Sequence, residues 1–331
     1  MILKSTIKQF TPESLLLLYH RLLAITAAVR FGFPSRSMVV IGITGTKGKT
    51  STANFIWSCL NAAGLKAGLL GTANIRIGQQ ESLNPYHMTM PGPFIIQGLL
   101  AQMRAAGCTH CVMEVTSEGI KQSRHWGIAY DIAIFTNLTP EHLPSHGNSF
   151  ENYKHTKGQF FASLMAYPRK IIAGKSRERV IIANADSPHT SYFINFAADQ
   201  KITYGLQNGA DLVARDINDT PEGVTFTVDD TLYRLNILGA FNVYNALPAL
   251  AVAQALDIPT STVQQGLAAL TLIPGRMEKI EEGQNFTVLV DYAHEKESMT
   301  AVLTTGRNMA RSSDGRVIIL LGAEGGGRDK T

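Results

Sequence analysis

The stretch Met38-Val39-Val40-Ile41-Gly42-Ile43-Thr44-Gly45-Thr46-Lys47-Gly48-Lys49-Thr50-Ser51 decides the fold. Its first six residues are mostly apolar and β-branched, the composition of a parallel strand buried on both faces. A glycine-rich turn follows, and a helical pattern resumes from Ser51 to Ala63. Strand, glycine loop and helix in that order open a nucleotide-binding α/β domain. Between strand and helix, backbone N–H groups can surround a phosphate. Gly45 and Gly48 let the chain turn tightly, Lys49 reaches the β- and γ-phosphates, and the Thr50 hydroxyl is placed for Mg²⁺. The strict phosphate-loop pattern asks for glycine where Ile43 stands, so the competing reading is a glycine-rich surface turn. The register of strand, Lys-Thr and helix favours the phosphate.

Outward from this unit the alternation continues. Upstream, Thr11 to about Arg30 reads as an amphipathic helix stopped by Gly32 and Pro34. Downstream, strands are expected at Gly68–Gly71, Cys111–Val115, Asp131–Asn137 and Val180–Asp186, with helices over Pro93–Ala106 and Phe150–Leu164. Residues 201–237 change to short alternating runs, Leu212–Asp216, Gly223–Val228 and Leu232–Leu238, which read as an antiparallel edge or small sheet. A helix around Asn245–Leu256 precedes a boundary at Leu272-Ile273-Pro274-Gly275-Arg276. A new α/β unit then begins at Phe286–Asp291 and is expected to reach a second strand at Val317–Leu321. Two strands and a helix cannot cover both faces of a sheet, so this last unit reads as incomplete. The expected division is a short helical segment (1–36), a central ATP-binding domain with a mostly parallel sheet (37–273), and the start of a Rossmann-like α/β domain (274–331).

Composition agrees with a folded globular chain. Of 331 residues, 45% are hydrophobic and 17% charged, which leaves room for a sizeable core. The formal net charge of +4 comes with no basic run, which argues against a nucleic-acid partner. The apolar N-terminal runs are broken by His20 and Arg21 and fall short of the roughly 20 residues that span a bilayer, so no membrane insertion and a cytoplasmic location are expected. Cys108-Thr-His-Cys111 has the spacing of a redox or zinc pair but lies in an apolar stretch with no second pair; buried thiols are the expected state.

The wording Gly42-Ile43-Thr44-Gly45-Thr46-Lys47-Gly48-Lys49-Thr50-Ser51-Thr52 resembles the ATP loop of the Mur ligase family, which shares the departure at the first glycine and commonly has Asn where this chain has Lys47. Met113-Glu114-Val115-Thr116-Ser117-Glu118-Gly119-Ile120 is similar to the family's Glu-Val-Ser-Ser-His-Gly-Leu, with Glu118 in place of its His. Phe135-Thr136-Asn137-Leu138, followed by Glu141-His142, continues the match. So do the run from Ser145 to Lys157 and the strings Gly239–Asn245, Pro274–Glu278 and Val290–His294. Matches run in order from Ile41 to Arg328.

The resemblance implies roles for residues that spacing alone leaves open. Glu114 and His142 stand where the family binds Mg²⁺, and Lys157 where it carries a lysine carbamate; Lys154 is the neighbouring competitor. Lys49, His142 and Lys157 are the implied catalytic set. The implied ATP contacts are the loop from Gly45 through Ser51, with Asn137, Asn242, Asn245, Arg276 and Asp291. Thr89, Met90, Thr116, Gln122 and Arg124 are the implied substrate contacts, Met90 replacing a family Thr. The activity implied is ATP-dependent ligation of an amino acid to a UDP-linked muramyl peptide through an acyl phosphate, in peptidoglycan biosynthesis. The match of the later strings favours the tripeptide-forming branch, with a monomer expected for a complete ligase. Two alternatives stay open: a folylpolyglutamate-type or other relative with another acceptor, and a non-catalytic ATP-binding fragment.

Overall fold

The computed structural model describes residues 12–141, 143–312 and 315–322. One mixed sheet of nine strands organises it: β1 (Val39–Thr44), β2 (Ala67–Leu70), β3 (Asn74–Ile77), β4 (Gln80–Leu83), β5 (His110–Glu114), β6 (Ile132–Phe135), β7 (Val180–Asn184), β8 (Gln200–Gly205) and β9 (Leu212–Val213). Their order is β9-β8-β7-β6-β1-β5-β2-β3-β4. From β9 to β2 every pairing is parallel; the β2–β3 and β3–β4 pairings are antiparallel. β1 lies between β5 and β6, so the phosphate-loop segment leaves the sheet at its middle.

The helices are α1 (Glu13–Arg30), α2 (Lys49–Ala62), α3 (Pro93–Ala105), α4 (Ser117–Lys121), α5 (Phe150–Ala162), α6 (Thr190–Ile194), α7 (Asn242–Ala255), α8 (Thr260–Ala269) and α9 (Lys296–Ser312). Alternate residues of the central strands enter two cores. Val39, Ile41, Ile43, Val112, Ile134 and Ile182 pack with α2, α7 and α8 on one face. Val40, Met113, Ala133, Phe135 and Ile181 pack with α3 and α5 on the other. Strands covered on both sides read as continuous apolar runs, which is why they were legible. Among the described residues no helix is long and apolar enough to cross a membrane. All three cysteines are buried and free, and burial pushes the Cys59 and Cys111 thiols up to about 12, as inert core groups.

Three expectations need correction. The run Leu212–Asp216 is not one strand: Leu212–Val213 pairs parallel with β8, and a new strand, β10 (Arg215–Thr220), begins after Ala214. With β11 (Gly223–Val228) and β12 (Thr231–Leu235), β10 forms the small antiparallel sheet, whereas residues 200–205 belong to the main sheet. Val317–Leu321 forms no ladder among the described residues, and Ile318 and Leu320 are almost fully exposed. After the boundary, β13 (Glu278–Ile280) and β14 (Val288–Val290) make an antiparallel pair, followed by α9.

At the edge of the sheet away from the loop sits a buried charge cluster. The Asp131 carboxylate accepts from Lys170 Nζ (2.5 Å), Arg179 Nη1 (2.9 Å) and the Val40 N–H (2.8 Å). Lys170 also donates to the carbonyls of Met38 and Ala129, and Arg179 to those of Leu164, Tyr167 and Pro168. Burial pushes the Asp131 carboxyl up and the Lys170 ammonium down, and their mutual attraction opposes both.

Candidate active site

A cleft of about 530 Å³ opens where β1, β5, β6 and β7 end, the edge at which open parallel sheets take ligands. Gly45 (φ +152°) and Gly48 (φ +81°) shape its floor. A Cβ on Gly45 would lie 2.0 Å from Thr136 Oγ1, and one on Gly48 would lie 2.2 Å from Asn245 Oδ1. Both glycines therefore answer to close neighbours as well as to φ. Gly48→Ala is expected to cost about 1–3 kcal/mol, read as a lower urea midpoint, and Gly64→Ala is the control. Gly64 also has positive φ but no atom within 4 Å of its Cβ, so a larger loss at Gly48 isolates the clash with α7. Equal losses would remove that explanation.

Asn137 braces the loop. Its backbone carbonyl accepts from Thr46 N–H (2.9 Å), its Oδ1 from Lys47 N–H (2.8 Å), and its Nδ2 donates to Lys47 O (3.1 Å). Lys49 folds back to donate to the carbonyls of Gly45 (2.9 Å) and Thr46 (2.8 Å). Burial lowers the proton affinity of its amine, and the Arg276 charge adds to that against the pull of Glu114 and Glu141. Lys47 bridges Glu297 (2.6 Å), at the start of α9, and Glu141 (3.2 Å). Burial alone would lower its pKa, but the two carboxylates raise it overall.

Beside the loop, Glu114 at the end of β5 is buried. Its Oε1 accepts from the Thr50 hydroxyl (2.9 Å) and the Thr72 N–H (2.6 Å), and its Oε2 from the Thr72 hydroxyl (3.0 Å). Arg276 Nη2 donates to Thr50 Oγ1 at 3.3 Å. The hydroxyl and carboxylate oxygens here form a hard donor pair of the kind Mg²⁺ takes. Lys157 projects from α5 into the same cleft, 2% exposed, donating to Gly45 O at 3.0 Å. Burial, and then the Lys49 charge, hold its pKa well below that of an ordinary lysine.

Most of the residues singled out in the sequence converge on this cleft: the whole loop, Thr89, Glu114, Thr116, Asn137, Lys157, Asn242, Asn245, Arg276 and Asp291 all line it. Asn242 and Asn245 are hydrogen-bonded to each other on α7 (2.8 Å), and Asp291 caps the turns at Met277 and Ala293. Met90, Gln122 and Arg124 do not line it. Met90 is 2% exposed, and its sulfur accepts from Thr116 N–H. Arg124 donates to the carbonyl of Met90 and to Gln122 Oε1, and Gln122 in turn donates to Glu118. These three form a connected wall beside the cleft, and Glu118 joins it as the acceptor for Gln122. His142 and Arg328 lie outside the described residues. Thr72, Tyr153 and Glu297 were not anticipated. Thr72 follows β2 at the same sheet edge, a position that could have flagged it; nothing local marks Glu297.

The fold and the cleft can be set beside known proteins. The family description "Mur ligase middle domain" matches residues 43–253, more than half of the chain, and "Mur ligase, glutamate ligase domain" matches 275–331. The chain belongs to the Mur ligase family. Among its relatives, a UDP-N-acetylmuramoyl-L-alanyl-D-glutamate–2,6-diaminopimelate ligase of Bacillus licheniformis is 37% identical over 317 residues, covering 94% of this chain. A UDP-N-acetylmuramyl-tripeptide synthetase of a Roseiflexus species is 38% identical over 314 residues, covering 92%. The chain spans 62% of the Bacillus relative's length and 60% of the Roseiflexus one's. A solved structure of a diaminopimelate-adding ligase superposes with a TM-score of 0.67 at 27% identity, over 82% of this chain and 54% of that one. The folylpolyglutamate synthase of Mycobacterium tuberculosis, solved with ADP and AMPPCP, shares the fold at 20% identity and a TM-score of 0.66, over 89% of this chain and 74% of that one.

Proposed function

We propose that this Mur ligase chain forms the ATP-binding and acyl-activating part of a ligase that joins an amino acid to a UDP-linked muramyl dipeptide. The observation that carries the reading is the convergence of Lys49, the Thr50–Glu114 pair and Lys157 on one cleft. The relatives' names supply the acceptor and the amine. In this reading the γ-phosphoryl of ATP passes to the acceptor carboxylate, ADP leaves, and the amine attacks the resulting acyl phosphate, releasing phosphate as the amide forms. Lys49 exchanges its two carbonyl acceptors for phosphate oxygens and offsets their charge. Thr50 and Glu114 would hold Mg²⁺, whose role is to neutralise charge on the transferring group. Asn242, Asn245, Arg276 and Asp291 line the nucleotide's side of the cleft, and Thr89 and Thr116 the acceptor's. Incubation with ATP, Mg²⁺, the UDP-muramyl dipeptide and a panel of amino acids tests the reading. Amino-acid-dependent phosphate release with a matching amide product supports it; ATP hydrolysis indifferent to acceptor and amine contradicts it.

Lys157 has the chemistry of a carbamate site in this scheme. Only the neutral amine adds CO₂, forming an N–C bond and releasing one proton. A lysine with lowered pKa is neutral in a larger fraction near pH 8 than an ordinary one. The adduct converts a cation into an anionic oxygen donor facing the loop. We expect CO₂ occupancy on Lys157 to rise with pH, levelling off above its lowered pKa, as followed by ¹³C NMR in labelled bicarbonate. Lys157→Ala should abolish the carbamate signal. A signal that persists in that variant, or moves to Lys154, removes the assignment.

A further inference from the structure

α1 (Glu13–Arg30) wears its apolar side chains outward. Ala24, Ala27 and Ala28 are its buried residues, and Ala28 sits so close to Gly127 that a Cβ added there would fall 2.5 Å from it. On the outer face stand Leu15, Leu18, Leu22, Ile25 and Val29, with Tyr19 beside them. Leu15 and Leu22 are 56% exposed and Val29 is 60% exposed. Alternating steps of three and four residues put these side chains on one stripe, about 21 Å long at 1.5 Å per residue. A continuous apolar strip of this kind marks an interaction surface. It continues past the end of the helix, where Phe31 lines a shallow groove with the half-exposed Phe94 and Ile95 of α3. Arg104 ties α3 to this end by donating to the carbonyls of Phe31 and Gly32.

The charges that accompany the stripe are of one sign. Residues 1–36 carry Lys4, Lys8, Arg21, Arg30 and Arg36 against one acid, Glu13. Glu13 is paired at 2.9 Å with Lys121 of the same chain, so its charge is already offset. Arg21 and Arg30 are exposed and lie over the rings of Trp126 and Phe31. The spacing of the stripe also suits a coiled coil with a second copy, but the charges oppose it. Antiparallel pairing centred on Leu22 brings the two Arg21 residues together beside the axis, and parallel pairing sets every cation against its own copy. One helical stripe per copy is also small beside the roughly 1,200–2,000 Å² of a stable interface. An anionic bilayer answers both features, taking the apolar side chains at the acyl boundary and the cations at its headgroups. No residue of α1 lines the ATP cleft, so such docking leaves that cleft open.

We propose that α1 is a peripheral membrane-docking surface, its Leu15–Val29 stripe lying in the interface of an anionic bilayer with Arg21 and Arg30 among the lipid phosphates. The helix lies on the bilayer and does not cross it. The full chain is mixed with vesicles of phosphatidylglycerol and phosphatidylcholine in equal parts, or of phosphatidylcholine alone, and bound protein is read by flotation. Binding to the anionic vesicles is expected to exceed binding to the neutral ones about tenfold or more, and to weaken as salt is raised. The double variant Leu18→Ser with Leu22→Ser is expected to lose about tenfold or more of that binding. Both side chains are more than half exposed, so the variant should fold. Circular dichroism and an unchanged affinity for a fluorescent ATP analogue check this. Val317–Leu321 is another exposed apolar run, and the variant keeps it, so a loss of binding isolates α1. The proposal falls if the parent does not float with anionic vesicles, if it floats equally with neutral ones, or if the double variant floats like the parent. A parent that ignores vesicles but sediments as a dimer, which the double variant dissociates, would make the stripe a contact between copies instead. The ATP cleft plays no part in flotation, so a failed ligase assay leaves this test intact.

Discussion

Lys49→Ala is expected to weaken ATP binding roughly 10–100-fold and any turnover by about 10²–10³, with the fold retained. The binding figure follows from losing charge-assisted hydrogen bonds to phosphate, worth about 1.5–3 kcal/mol. The turnover figure follows from removing one preorganised charge at the transferring group. Retention of the fold is expected because the amine contacts only the carbonyls of Gly45 and Thr46, which lie on a solvent-facing cleft and can be hydrated once it is gone. Titration with a fluorescent ATP analogue, alongside a thermal melt, separates the two effects. A variant that melts like the parent and binds the analogue with the parent's affinity would remove Lys49 from the nucleotide site.

Asp131→Asn carries the largest expected stability loss, about 3–5 kcal/mol, because it leaves two buried cations without their counter-ion. The shape is nearly conserved, so packing does not explain the cost. An amide in the same place also turns its N–H groups either toward Arg179 or toward Lys170 and the Val40 N–H, all of which donate already. The pH dependence has a definite sign. Burial already lowers the Lys170 pKa below that of an exposed lysine, and losing Asp131 lowers it further. Between the folded and unfolded pKa values the unfolded chain binds more protons, so stability rises with pH across that window. Urea midpoints of Asp131→Asn should therefore climb between pH 7 and 9.5 more steeply than those of the parent. A flat profile with a loss under about 1 kcal/mol would mean that water reaches the cluster.

The features legible in the sequence are those whose physics is local. β1, β5, β6 and β7 are buried on both faces and announce themselves as apolar runs; Gly45, Gly48, Lys49 and Thr50 are confined to one turn. What escaped depends on partners distant in the chain. β3 and β4 carry polar alternation with little apolar content, and they form because β2 offers an edge to pair with. β8 alternates Ile202 and Tyr204 with polar neighbours and so reads as antiparallel, yet it lies parallel beside β7. Val317–Leu321 has the composition of a strand and no ladder among the described residues, since composition cannot supply a pairing edge. Within the site, the strand-end position of Glu114 leaves its role open, and only the resemblance assigns it one. The closure of Lys47 on Glu297 spans 250 positions and has no local signature.

That β1 lies between β5 and β6 has a kinetic consequence. The cleft takes Lys49 from the segment after β1, Glu114 from β5, Asn137 from beyond β6 and Asn184 from β7, so it exists only when strands up to about 145 residues apart have found their registers. Each parallel pairing closes a long loop before its contacts repay the lost entropy, which makes such assembly slow. Nucleotide affinity should thus appear in the last phase of refolding, after helix signals have recovered, and ATP present during refolding should slow unfolding far more than it speeds folding.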